Sequence, residues 1–148
     1  MRRIYFLMVA AIMCLCIDAQ EYTQKWNEVF QRTEFFDTYG RLVGYAKYND
    51  VFNRLEYFDA TGKLIRTEQK NEVFERTDVK TPQGNLQYTK SYNSVFDRED
   101  IKDEYGRVIG YKKWNEVFKR YDVFNTKEKL IGYYVYNAVF QRWEYHEN

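Results

Sequence analysis

Histidine occurs once in this chain, at His146, with no partner motif around it. A lone histidine offers neither an acid–base pair nor a metal site. Both cysteines, Cys14 and Cys16, fall within the first 19 residues. If that segment is removed, no thiolate remains for catalysis or metal binding. Acidic residues cluster as Asp97 with Glu99-Asp100 and as Asp103-Glu104, a composition ordinary for strand and turn surfaces. A calcium loop needs clustered Asp and Asn, whereas Asp37-Thr38-Tyr39-Gly40 carries one acid. There is no glycine-rich phosphate loop. The expectation is a protein that is not an enzyme, with no cofactor and no metal.

The residue types that do recur are aromatic. The position before each repeated Asn is Trp26, Tyr48, Lys70, Tyr92, Trp114 or Tyr136, and a second column holds Tyr45, Tyr111 and Tyr133, interrupted by Thr67 and Thr89. Trp and Tyr combine a flat apolar body with a polar end, which suits protein interfaces and sugar faces. These eight aromatic residues are the candidate binding set; packing between hairpins is the competing use for them. The third repeat breaks both columns at Lys70 and Thr89 and carries Lys80 and Gln87 where other repeats are often apolar. It is either drift or a distinct patch.

The elements that position these residues follow from one motif, Asn-x-Val-Phe-x-Arg. It occurs six times, from Asn27, Asn49, Asn71, Asn93, Asn115 and Asn137, always 22 residues apart. A constant period marks a repeat architecture. Between motifs stand Asp37-Thr38-Tyr39-Gly40, Asp59-Ala60-Thr61-Gly62, Thr81-Pro82-Gln83-Gly84 and Asp103-Glu104-Tyr105-Gly106. Asp first, Pro second and Gly fourth is a type I turn leading into a left-handed glycine. The fifth turn, Asn125-Thr126-Lys127-Glu128, lacks glycine and should be the weakest. Flanks such as Leu55-Glu56-Tyr57-Phe58 and Val108-Ile109-Gly110-Tyr111 have strand composition. Each repeat is therefore a β-hairpin, and about twelve short strands are expected. The connection at Asn is expected to be a turn, with an Asn-capped helical turn as the alternative.

Strand alternation places Phe30, Arg32 and Glu34 on one face, with Val29 and Phe35 on the other. The pattern repeats as Phe52, Phe74, Phe96, Phe118 and Phe140, and as Arg54, Arg76, Arg98, Arg120 and Arg142. Each Arg has an acid two residues on: Glu34, Glu56, Asp78, Asp100, Asp122 and Glu144. Such an array either fixes register by ion pairing or forms a charged track for a ligand. Apolar residues on both faces argue against a flat sheet wet on one side. The expected fold class is all-β: a tandem array of six hairpin repeats, open or superhelically stacked, each repeat covering the next. The array begins and ends in half-repeats that could pair, so a closed ring or barrel is the alternative.

Residues 1–19 read as a signal peptide: Arg2-Arg3, an uncharged apolar run from Ile4 to Ile17, and Ala19 before the expected cut. Residues 20–148 form one repeat domain, exported or held in the periplasm or cell envelope, with no membrane-spanning segment in the mature chain. Removing Arg2, Arg3 and Asp18 from the 23 basic and 22 acidic residues leaves 21 of each. That balance gives no footprint for nucleic acid.

Glu56-Tyr57-Phe58-Asp59-Ala60-Thr61-Gly62-Lys63-Leu64 resembles the Tyr-x-Tyr-Asp-x-x-Gly-Arg-Leu core of YD-repeat proteins. Its Asp-x-x-Gly-Lys-Leu element is also similar to MORN-like and YwqK-like hairpin repeats of bacterial exported proteins. The resemblance implies a hairpin array without catalysis of its own. The functional expectation is a non-catalytic protein that binds another macromolecule, protein or glycan, through a repeated aromatic and charged face. The alternative is a self-assembling structural component of the matrix or envelope, joined through open strand edges.

Overall fold

A computed structural model describes residues 22–148, and the signal peptide expected at 1–19 lies outside them. Twelve antiparallel strands follow one another in chain order. They are β1 (Tyr22–Asn27), β2 (Arg32–Asp37), β3 (Leu42–Asn49), β4 (Arg54–Asp59), β5 (Leu64–Asn71), β6 (Arg76–Lys80), β7 (Leu86–Asn93), β8 (Arg98–Asp103), β9 (Val108–Asn115), β10 (Arg120–Asn125), β11 (Leu130–Asn137) and β12 (Arg142–Glu147). Each pairs with its neighbours, and β1 pairs with β12, so the sheet closes into a barrel.

The open or stacked array expected from the repeats is therefore corrected to its alternative. The half-repeats at the two ends supply the last seam, with Tyr22 opposite Tyr145 and Gln24 opposite Trp143. Five β-bulges explain how the sheet turns through a full circle. The register slips once where each of five hairpins approaches its type I turn, between Phe35/Phe36, Tyr57/Phe58, Val79/Lys80, Ile101/Lys102 and Val123/Phe124. The facing strand holds one extra residue at each slip. A bulge bends and twists its strand. Five at equivalent heights curl the sheet one way, and the extra residues Val43, Ile109 and Ile131 pack on the core.

The two ends of the barrel differ. One carries the five type I turns and both ends of the described chain; the other carries all six Asn motifs. The motif turns begin later than expected. Strand β2 starts at Arg32, so Val29 and Phe30 belong to the turn rather than to a strand, and the same holds in every repeat. Asn27 Oδ1 accepts the amides of Val29 and Phe30 at 3.0 and 3.1 Å. Equivalent bonds form at the other five Asn residues. The chain leaves each turn through a left-handed residue (φ 48–51°): Gln31, Asn53, Glu75, Asp97, Lys119 or Gln141.

The interior is packed unevenly. One buried cluster joins Tyr22, Phe35, Ala46, Val123 and Tyr145; a second joins Val79, Tyr88, Ile101 and Ile109. At the type I end, one inward position per repeat reads Tyr22, Gly44, Arg66, Tyr88, Gly110 and Gly132. The glycines leave room for the large side chains that reach across. Tyr145 lies so close over Gly132 that a Cβ there would fall 2.0 Å from its hydroxyl.

Candidate functional site

Three surfaces carry the sequence candidates: the outer wall, the rim at the Asn end, and the interior. On the outer wall, each motif Arg donates Nε to the acid two residues on, at 2.6–2.9 Å in all six repeats. Its guanidinium covers the motif Phe ring at 4.7–4.8 Å. The motif Asn hands its Nδ2 to the same acid in four repeats, at Asp78, Asp100, Asp122 and Glu144. Asn, Phe, Arg and acid thus form one closed unit that braces the turn against the strand. Cation–π contact and a charge-assisted bond each contribute about 1 kcal/mol in such settings.

The second aromatic column belongs to this wall. Arg32, Arg98 and Arg120 lie over Tyr45, Tyr111 and Tyr133 at 4.1, 4.0 and 3.9 Å, sandwiched between Tyr and Phe. Tyr45 and Tyr111 also stack on Phe58 and Phe124, and Tyr133 stacks on His146. These three tyrosines are wall packing. His146 sits in that stack, on the outside. Lys80 and Thr89 of the third repeat also face outward.

The first column stands elsewhere. Trp26, Tyr48, Tyr92, Trp114 and Tyr136 ring the mouth at the Asn end, 36–67% exposed, with Lys70 completing the ring. Outside them stand the six motif turns. Their valines are 82–86% exposed and their phenylalanines 56–65%. Twelve exposed apolar side chains thus form a crown around one opening. The sequence showed these residues but assigned them to strands, which hid their common location. Residues of the turns add Glu28, Asp50, Glu72, Glu75, Asp97 and Glu116 against Lys119 alone. Lys119 pairs with Glu116, and Lys70 with Glu72.

Inside, a cavity of about 260 Å³ extends from mid-barrel to the side chains just below the crown. Its walls include Gln24, Phe35, Tyr57, Ile101, Val123 and Tyr134, with Glu99, Tyr121 and Trp143 toward the mouth. Trp114, Tyr121, Trp143 and Tyr136 make edge and tilted contacts at 4.8–6.0 Å along that side. The cavity also holds Arg66, Lys90 and Lys112. Lys90 binds Glu68 at 2.7 Å, Arg66 lies 3.6 Å from the same carboxylate, and Lys112 binds Glu99 at 3.1 Å. Arg66 also stacks on Tyr57 at 4.0 Å. Burial opposes ionisation of Glu68, but Lys90 and Arg66 outweigh it and hold its carboxyl below the ordinary value. Burial, reinforced by Glu68, pushes the Tyr57 hydroxyl up to about 12. Burial raises Tyr88 as well, so both phenols stay protonated donors.

Apart from Lys90 and Lys112, which hold the same position in consecutive repeats, these charged interior residues do not recur along the array. The signal that finds them is strand alternation: it turns Arg66, Glu68, Lys90, Glu99 and Lys112 inward. Among the described residues no group of three or more His, Cys, Asp and Glu is placed to hold a metal. Nor is any helix there long and apolar enough to cross a membrane.

No protein-family model matches the chain, and no curated protein does. The fold itself has a solved counterpart. An X-ray structure of a protein from Arabidopsis thaliana superposes with a TM-score of 0.64 at 14% identity, over 86% of this chain and 80% of that one. At that identity the likeness concerns the all-β fold alone.

Proposed function

We propose that this protein is a non-catalytic binding module whose crown docks onto another protein. The observation that carries the proposal is the gathering of all six Val-Phe pairs, with the aromatic ring inside them, at one end of a rigid barrel. Each Phe is held from behind by its Arg and presents its other face to solvent, so little side-chain freedom is lost on docking. Glu28, Asp50, Glu75 and Asp97, the turn acids not paired with Lys70 or Lys119, favour a partner surface that is apolar at its centre and basic at its edge. A glycan would use the flat Trp and Tyr rings but would leave twelve valine and phenylalanine tips unmatched.

Closure bears on the alternative of self-assembly. A barrel has no free strand edge, so edge-to-edge pairing has no starting point in this fold. Crown-to-crown contact would set acid against acid.

A photo-crosslinking residue in place of Val51 tests the proposal in the producing cell, with the same residue in place of Tyr39 at the opposite end as control. A discrete crosslinked protein from the crown and none from Tyr39 is the expected result. Equal labelling from both ends, or none from the crown, rejects it.

A further inference from the structure

The interior cavity is a second site, separate from the crown. We infer that it binds a small monocarboxylate with a flat apolar body, the carboxylate among Arg66, Lys90 and Lys112 and the body against Trp143, Tyr121 and Phe35.

Charge comes first. The cavity region holds three cations, Arg66, Lys90 and Lys112, and two carboxylates, Glu68 and Glu99. Glu68 is shared by Lys90 and Arg66, and Glu99 is bound to Lys112, so one positive charge is left over. Other inward acids do not offset it. Asp37, Asp59 and Asp103 lie at the type I end, where each accepts amides of its own turn, and Asp37 and Asp103 also pair with Arg41 and Arg107. Lys70 at the mouth is matched by Glu72. Burying charge is costly, and well-packed apolar residues would stabilise the barrel at least as well. Four charged side chains on the cavity wall, with Glu68 behind Lys90 and Arg66, therefore need a reason other than stability.

Hydrogen bonding agrees. Tyr88 is 2% exposed, and its hydroxyl has no hydrogen-bond partner among the described residues. It faces the same charged group, with Arg66, Glu68, Tyr57 and Glu99 as its electrostatic neighbours. Tyr88 stands behind the cavity wall rather than in it, whereas the Tyr57 phenol, also protonated, lines the cavity beside Arg66. Gln24 adds a neutral polar group to the wall.

Size and shape set the rest. An apolar cavity of about 150 Å³ holds benzene, and common ligand pockets run to about 300–1,000 Å³. At about 260 Å³ the space exceeds one ring and falls short of a large cofactor. Its apolar lining is aromatic on the mouth side, where a planar body would stack. One excess charge matches a carboxylate better than a dianionic phosphate. Entry is from the mouth, where Lys112 and Glu99 are one-third exposed.

The test uses the purified protein and three probe acids: phenylacetate, 3-phenylpropionate and 4-phenylbutyrate. Each is compared with its neutral amide and its amine, by calorimetry and by tryptophan fluorescence. At least one acid should bind, with its amide and amine at least about tenfold weaker. Lys112→Gln removes the excess charge and should weaken that acid about tenfold, whereas Glu99→Gln should tighten it. Both residues are partly exposed, and either variant decides the matter if the other fails to fold. Failure of all three acids to bind overturns the inference. So does an amide that binds as tightly as its acid, or an affinity unmoved by the substitutions.

Discussion

On the outside of the barrel, Arg76 meets Asp78 at 2.7 Å; inside, Lys90 meets Glu68 at the same distance. The outer pair has five near-copies around the wall, each with its own Phe and three of them also bonded to their own Asn. The inner pair has none. The wall is uniform because every hairpin solves the same problem: bracing a turn, fixing register and matching the curvature of its neighbour. The interior has no such periodic demand. It is one shared volume, so a large side chain from one repeat requires a small one from another, as Tyr145 and Gly132 show. Repetition builds the container, and departures from it decide what the container holds.

The sharpest way to break that contrast is to cut the two ion pairs in the same manner. Lys90→Met leaves the buried Glu68 with Arg66 at 3.6 Å as its one cationic neighbour within salt-bridge distance, which should cost about 3 kcal/mol. Arg76→Met leaves Asp78 with Asn71 as a partner and water nearby, so the loss should be about 1 kcal/mol. Chemical denaturation of both variants measures the difference. Equal losses would mean that the interior pair is ordinary packing, with no special status.

Gly132→Ala probes the shared volume next. Its new methyl would meet the Tyr145 hydroxyl at 2.0 Å and the backbone oxygen of His146 at 2.7 Å. Tyr145 is buried against Tyr22 and Tyr134 and cannot swing away freely. Overpacking of this kind costs about 1–3 kcal/mol. A thermal midpoint unchanged from the parent would show that the interior adjusts, and the container picture would weaken.

The same division explains what was legible in the sequence. The hairpins, their type I turns and the strand number follow from local chemistry: Asp and Gly at fixed offsets, β-branched and aromatic flanks, and a rigid period of 22 residues. Closure was not legible, because it depends on strand tilt and stagger summed over all twelve strands. The half-repeats at each end were its one trace. Simple strand alternation misplaces Val29 and Phe30, because Asn27 accepts both their amides and holds them in the turn. That shift moved twelve apolar side chains from a supposed sheet face to the crown. Arg66 and Glu68 carry no periodic signal, because the equivalent positions one repeat away hold Gly44 and Tyr88, and Ala46 and Lys90.

The smallest effect concerns the one turn that departs from the wall's own rule. Four type I turns end in glycine at φ 76–91°, whereas the fifth ends in Glu128 at φ 58°. The turn still closes, with Glu128 donating its amide to the Asn125 carbonyl at 3.0 Å. A side chain in the left-handed region costs roughly 1 kcal/mol, offset in part by the greater freedom glycine gives the unfolded chain. Glu128→Gly should therefore raise stability, by about 0.5 kcal/mol. The reciprocal change, Gly106→Ala, should lower it by a similar amount, since an added Cβ there meets open space and only the backbone angle objects. Opposite shifts of the denaturation midpoint would confirm that the fifth turn is a local lapse in an otherwise uniform wall. A loss of stability in Glu128→Gly would mean that Glu128 does something the other four turns do not, and the wall would be less regular than its motif.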